Sequence, residues 1–383
     1  MKKFASFALC LALLMSAALP AYAEEAVLIS APVPVPSIEN ITFAGPAVTV
    51  DLETVIEHRL ATGAAIELAL INQRSDEAIA RGYKEAFSNL SLLAPASLTA
   101  KLTELTRNFA RDNLASNKEA ELNSIRKGAV DLFYDTFSAQ EYYRVAKEDL
   151  AVSELTLKNV QRKYNLGAAS KLDLLTAQNA LTGAKKALAE ANMGYNAALM
   201  NFNLEMGYPL LQEVVLKAEL AIPALEPVDL DAALASAMEK RNEIKGALFA
   251  YEIQDVTFTN AKLTMNRLAS EYKKQEVAYL TAKRTADTIH DQIRVDVMLK
   301  YMGVAQKHLA ALAAQSTADL AQEAYRIAQI SYNAGMKTLA QLQEAEVSAN
   351  QAKILAIGAV TDLTLALYDF EFATGVGTYR ISL

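Results

Sequence analysis

Any chemistry in this chain would have to start from three histidines, His58, His290 and His308, and one cysteine, Cys10. Asp287 and Asp291 flank His290 at helical distances. Solvated helix faces carry the same pattern routinely. No two histidines stand at metal-ligand helical spacing, and no partner pattern surrounds them. No glycine-rich phosphate loop follows a strand, and no nucleophile elbow is visible. The sequence therefore offers no catalytic, cofactor-binding or metal-binding residues and reads as a non-enzyme.

The residues that do recur with fixed spacing suggest turns. "RKYNLGAASKLDLLTAQ" occupies residues 162 to 178, and "ISYNAGMKTLAQLQEAE" occupies residues 330 to 346. In each, a glycine (Gly167, Gly335) follows a helical pattern where a helix would end in a left-handed residue, a conformation glycine adopts without a Cβ clash. Three residues later comes a hydroxyl, Ser170 or Thr338, and three beyond that Asp173 or Gln341. This is the spacing of a capping box, in which the hydroxyl and the third side chain satisfy each other's free backbone donors. Gln341 is a standard partner and Asp173 a shorter imitation. The spacing predicts a tight helix–turn–helix reversal at each place, for which folding alone is a sufficient reason.

The elements around these turns are duplicated. Residues 164 to 207 pair without a gap with residues 332 to 375, and 12 of the 44 pairs are identical, including Phe202 with Phe370 and Gly207 with Gly375. Such self-similarity marks an internal repeat. The two halves also open alike, with "VDLETVIEHRL" from Val50 and "VDLDAALASAM" from Val228, each an acidic-capped amphipathic segment. After the first turn, Leu174, Ala177, Leu181, Ala184 and their successors to Phe202 alternate at spacings of three and four. Leu342, Ala345, Ala349 and their successors to Phe370 keep the same phase. These are antiparallel coiled-coil seams whose alanines allow close backbones. From Ala96 to Asn165 one glycine and no proline occur, so a single helix of roughly 100 Å is expected. All nine prolines lie at or before Pro227. The fold expected is all-α: duplicated long antiparallel helical hairpins forming a coiled-coil bundle, with little or no β-structure.

At the N-terminus, Lys2 and Lys3, an apolar stretch and Ala21-Tyr22-Ala23 read as a secretory signal peptide at 1–23. The remaining organisation expected is an extended proline-rich leader at 24–50, a helical repeat at 51–211, a linker at 212–228 and a second repeat at 229–383. Cleavage removes Cys10, and with it thiol chemistry. It leaves 35 basic against 44 acidic residues, a net charge of about −9. Nucleic acid, which needs a basic face, is not expected as a partner. Beyond residue 23 no apolar run reaches the ~18 residues of a membrane-spanning helix.

The signal peptide, the duplicated alanine-rich unit, the "DLxxxI" opening and the repeated "YNxGxx[ST]xx[DQ]L" turn together resemble the TolC-type outer-membrane efflux proteins, over residues 51 to 377. The resemblance implies a homotrimer that closes into an α-barrel, a passive duct of a tripartite efflux or secretion system. It implies a cell-envelope location, at the outer membrane or on the periplasmic side. Its partners would be a periplasmic adaptor protein and an inner-membrane transporter. It places Leu166, Gly167, Ser170, Asp173, Ala334, Gly335, Thr338 and Gln341 at an adaptor-docking tip. It places Gln341 and Glu344 at an aperture where the family often has two carboxylates, of which only Glu344 is acidic here. The duct reading also calls for largely acidic faces opposite the seams. Typical members carry strands between their helices that pool into a membrane barrel. Here only "LSLLAPASL" at 90–98 and "DVTFT" at 255–259 offer candidates. Either the strands are vestigial or this is a barrel-less relative whose tube does not itself cross a bilayer, and any membrane association would be without an inserted barrel. The alternative is a coiled-coil scaffold of the cell envelope with no channel.

Overall fold

A computed structural model describes residues 44–218, 220–225 and 228–382, which belong to one compact unit. The expected signal peptide and the leader as far as residue 43 lie outside the described residues.

The described chain is built from eight helices and two strands, in the order β1 (Ala44–Val50), α1 (Leu52–Ala61), α2 (Ala64–Leu93), α3 (Leu98–Asn165), α4 (Lys171–Met206), β2 (Gln212–Leu216), α5 (Leu230–Lys240), α6 (Asn242–Thr264), α7 (Ser270–Asn333) and α8 (Leu339–Thr374). It is the all-α bundle of long hairpins that the sequence predicts. The 68 residues of α3 run about 100 Å at 1.5 Å per residue. α4 and α8 are both 36 residues long and offset by the same 168 positions as the turns before them. Acidic caps start both halves: Asp51 accepts from the Thr54 amide, and Asp229 from the Ala232 amide.

α2 packs on α3, α3 on α4, α6 on α7 and α7 on α8, while α3 ties the halves together through α6 and α8. The alanine seams lie inward as their phase requires, with Ala177, Ala184, Ala349, Ala352 and Ala356 all buried. The bulky core sits away from the turns. One cluster gathers Val55, Phe133, Phe137, Leu199 and Phe202 with the two strands. Its counterpart gathers Ile244, Ile293, Val297, Leu363 and Phe370.

Two stretches differ from the sequence reading. The end of the leader and the start of the linker are strands that pair in parallel, Val48 with Val214 and Val50 with Leu216. They form because Val50, Val214 and Leu216 alternate into the first core cluster. Gln140 of α3 then satisfies both backbone groups of Leu216, donating to its oxygen and accepting from its nitrogen at 3.0 Å each. The two barrel candidates are not strands. Residues 90–93 are the last turn of α2 and residues 94–97 a short loop, while 255–259 lie inside α6. There Phe258 stacks between Tyr272 and Tyr279 of α7, at centroid distances of 5.4 and 5.1 Å, a helix-face contact that outweighs the β-propensity of the segment.

The C-terminal segment after α8 is strapped across the body. Asn117 is 1% exposed; it donates to Asp76 Oδ2 and to the Ile381 oxygen, and accepts from the Ile381 nitrogen, at 3.0 Å each. Asn242 donates to the Tyr379 oxygen and Asn123 to the Gly377 oxygen. Arg380 pairs with Asp76.

Candidate functional site: the paired turns

Both reversals take the form their residues dictate. α3 stops because Gly167 enters the left-handed region at φ 73°, with its amide donating to the Tyr164 oxygen (2.9 Å) and that of Ala168 to the Lys163 oxygen (2.7 Å). α7 ends identically, with Gly335 at φ 76° and bonds to Tyr332 (3.0 Å) and from Met336 to Ser331 (2.8 Å). Each is the paired-bond termination that absorbs the last free carbonyls. The next helix begins with a reciprocal cap. The Asp173 amide donates to Ser170 Oγ (3.1 Å) and the Ser170 amide to Asp173 Oδ2 (3.0 Å). The Gln341 amide donates to Thr338 Oγ1 (3.3 Å) and the Thr338 amide to Gln341 Oε1 (3.0 Å). The shorter aspartate closes its box as well as the glutamine does.

Folding brings the two turns together. Val160, Ala177, Ala328, Leu339 and Leu342 form one buried cluster, with Leu174, Tyr325 and Tyr332 packed against it, so all four long helices meet near the tips. Lys163 Nζ lies 4.3 Å from the centre of the Tyr332 ring, a cation–π contact from one hairpin to the other. At the end of this paired structure Leu166 and Met336 are 83% and 73% exposed. Gly167, Ser170, Ala334, Gly335, Thr338, Gln341 and Glu344 are exposed too, and Asp173 is half-buried behind its cap. The faces opposite the seams are mixed, not largely acidic: Lys186, Glu190 and Met193 on α4, and Glu344, Val347 and Gln351 on α8.

His58 is held by structural contacts, whereas the buried Nδ1 of His308 has no hydrogen-bond partner among the described residues. His58 Nε2 lies 2.8 Å from the Met206 oxygen and 3.0 Å from Thr62 Oγ1. Beside His290, Asp287 is taken by Lys283 and Asp291 by Arg294. Among the described residues no group of three or more His, Cys, Asp or Glu could hold a metal ion. No described helix is long and apolar enough to cross a membrane.

Sequence reasoning singled out Glu344 and passed over Glu346, which is buried and stands in a cleft with Asp149 of α3. Its position was legible, since it follows Leu342 by four residues and precedes Ala349 by three, on the inner side of the seam.

No protein-family model matches the sequence, and no curated protein matches it. Solved structures do resemble the fold. A membrane protein from Pseudomonas aeruginosa aligns over 94% of this chain and 98% of its own, at 14% identity and a TM-score of 0.67. The Campylobacter jejuni CmeC outer membrane channel aligns over 87% of each chain, at 14% identity and a TM-score of 0.66. The Vibrio cholerae outer membrane protein VceC aligns over 86% of this chain and 97% of its own, at 12% identity and a TM-score of 0.64. The chain has the fold of the TolC-type outer-membrane channels that its paired turns resemble.

Proposed function

We propose that three copies of this chain enclose a passive, water-filled duct in the cell envelope, with the paired turns at its periplasmic tip. One observation carries this reading. On α7, exposed Val277, Leu280, Val295, Met298, Leu299, Met302, Leu309, Leu312, Leu320, Ile327 and Ile330 keep to one side of the helix, within an arc of roughly 140°. From Val295 to Ile330 the stripe is roughly 50 Å long at the helical rise; between Leu280 and Val295 the same arc carries Arg284, Asp287, Asp291 and Arg294 instead. An apolar face of that length in water marks an interface. A second copy laid along it would bury the stripe and continue the alternation of long antiparallel rods around a ring.

In this reading Leu166, Gly167, Ser170, Asp173, Ala334, Gly335, Thr338 and Gln341 present the tip to the helical hairpins of an adaptor, which connects it to an inner-membrane transporter. The exposed Leu166 and Met336 are its apolar contacts. Gln341 and Glu344 border the aperture, and the tip opens when the helices shift, with energy supplied by the transporter. A scaffold without a lumen is the second reading. It is favoured by the far ends of the hairpins, where α2–α3 and α6–α7 are joined by the short loops at 94–97 and 265–269.

Electron microscopy of the purified mature protein separates the two. A three-fold ring with an open bore is expected, and the double substitution Met302→Glu, Leu309→Glu should return it to single chains. Solid rods, or a wild-type protein that stays monomeric, would overturn the duct.

A further inference from the structure

A cleft of about 380 Å³ opens along the shaft between α3, α4 and α8. Its polar lining is Asp149 and Ser153 from α3, Asn179 from α4, and Gln343, Glu346, Asn350 and Gln351 from α8. Among the described residues no lysine, arginine or histidine lines it. Glu346 is 8% exposed, and its Oε1 has no hydrogen-bond partner. Asp149 Oδ1 accepts from Asn350 Nδ2 at 2.5 Å. Arg144 and Lys353, on the same stretches of α3 and α8, both donate to Glu148, so they compensate a carboxylate outside the cleft.

Two carboxylates at one site, Glu346 buried and Asp149 half-buried, resist being ionised together without a counter-charge. Burial first, and then the charge of Asp149, push the Glu346 carboxyl up to about 7. Burial raises Asp149 as well, against the opposing bond from Asn350. Tyr325 of α7 feels both carboxylates, and burial followed by their charge pushes it up to about 12. α4 contributes no titratable group to the lining.

We propose that this cleft is a cation site, in which Glu346 and Asp149 hold a hydrated divalent cation of the calcium or magnesium class. The donors are all oxygens, the set that hard cations prefer. Two carboxylates make an incomplete shell, which the carbonyl oxygens of Asn179 and Gln343, the Ser153 hydroxyl and retained water would fill. The volume, roughly a dozen waters at ~30 Å³ each, leaves room for that hydration. Such an ion would clamp α3 to α8 and so join the two hairpins.

Terbium(III) is the probe. The chain has 16 tyrosines and no tryptophan, so excitation of tyrosine should light terbium through Tyr325. The expected result is saturable emission that calcium or magnesium competes away. Glu346→Gln or Asp149→Asn should weaken it about tenfold or more, with circular dichroism showing the helices intact. Tyr325→Phe should lose emission while calorimetry still detects terbium binding. Emission indifferent to both carboxylate substitutions, or abolished by Glu344→Gln instead, would overturn the site. The cleft lies within one chain, so failure of the ring would leave this test standing.

Discussion

The glycine turns and the C-terminal strap solve the same problem, ending or redirecting a long helix, by opposite means. At the turns every stabilising bond closes within six residues, as from Ala168 to Lys163 or between Ser170 and Asp173. In the strap the bonds join residues hundreds of positions apart, Asn117 to Ile381 and Arg380 to Asp76. The contrast is sharp at the one glycine pair that sequence equates but structure separates. Gly207 caps α4 in the left-handed region at φ 70°, whereas Gly375 after α8 is extended at φ −98°. The first half returns into β2 and the second into the strap. Identical residues took different backbones because their tertiary partners differ.

The comparison can be broken hardest at Asn117. Asn117→Ala leaves the Ile381 backbone and Asp76 short of partners in a buried place, and a loss of about 3 kcal/mol is expected in urea unfolding. A loss below about 1 kcal/mol would mean that the strap merely lies on the body. Next come two glycines of similar φ in unlike surroundings. A Cβ at Gly167 would meet nothing within 4 Å, so Gly167→Ala should cost only the left-handed penalty of about 1 kcal/mol. At Gly377, φ 81°, a Cβ would stand 3.2 Å from Arg241 Nε. Arg241 is held by Glu243, by Asp296 and by the Ala373 oxygen. Gly377→Ala should therefore cost about 2 kcal/mol or more, and equal melting temperatures for the two variants would show that Arg241 yields freely.

Glu346 extends the contrast into the shaft, where a local helix residue is burdened by tertiary burial. With its carboxyl raised from 4.5 to about 7, the native state keeps a proton that the unfolded chain has lost. Stability should then fall as pH rises between about 4.5 and about 7, and level off above. In a chelating buffer Glu346→Gln should melt above the parent at pH 8 and lose that advantage near pH 4. A gap that does not change with pH would mean the carboxylate is unstrained in the fold. The smallest effect belongs to the caps. Ser170→Ala and Thr338→Ala should each cost about 1 kcal/mol by thermal melting, and unequal losses would show that the Asp173 and Gln341 boxes differ in strength after all.

Much of this molecule was legible along the chain because helices are written in short-range periodicity. The glycine, hydroxyl and acid or amide at positions 167, 170 and 173, and again at 335, 338 and 341, specify a termination and a restart within nine residues. The alanine phase named the buried face of α4 and α8. The strands were not legible, because strands of seven and five residues, the first containing Pro46, carry too little pattern, and their pairing partner lies more than 160 positions away. His58 and the acids beside His290 drew attention by type, yet their neighbours use them as structural contacts. Glu346 shows the reverse, a residue ordinary in sequence that burial makes chemically distinct.

What the sequence determined by itself is therefore the set of rods and where each one turns, since bonds between near neighbours decide both. Tertiary structure alone decided which ends of those rods meet, that Asn117 and Asn242 would anchor the last residues, and that Asp149 and Glu346 would share one cleft. Those outcomes depend on groups brought together from distant positions, and the energy of such a meeting is a property of the place where they meet, not of either segment alone.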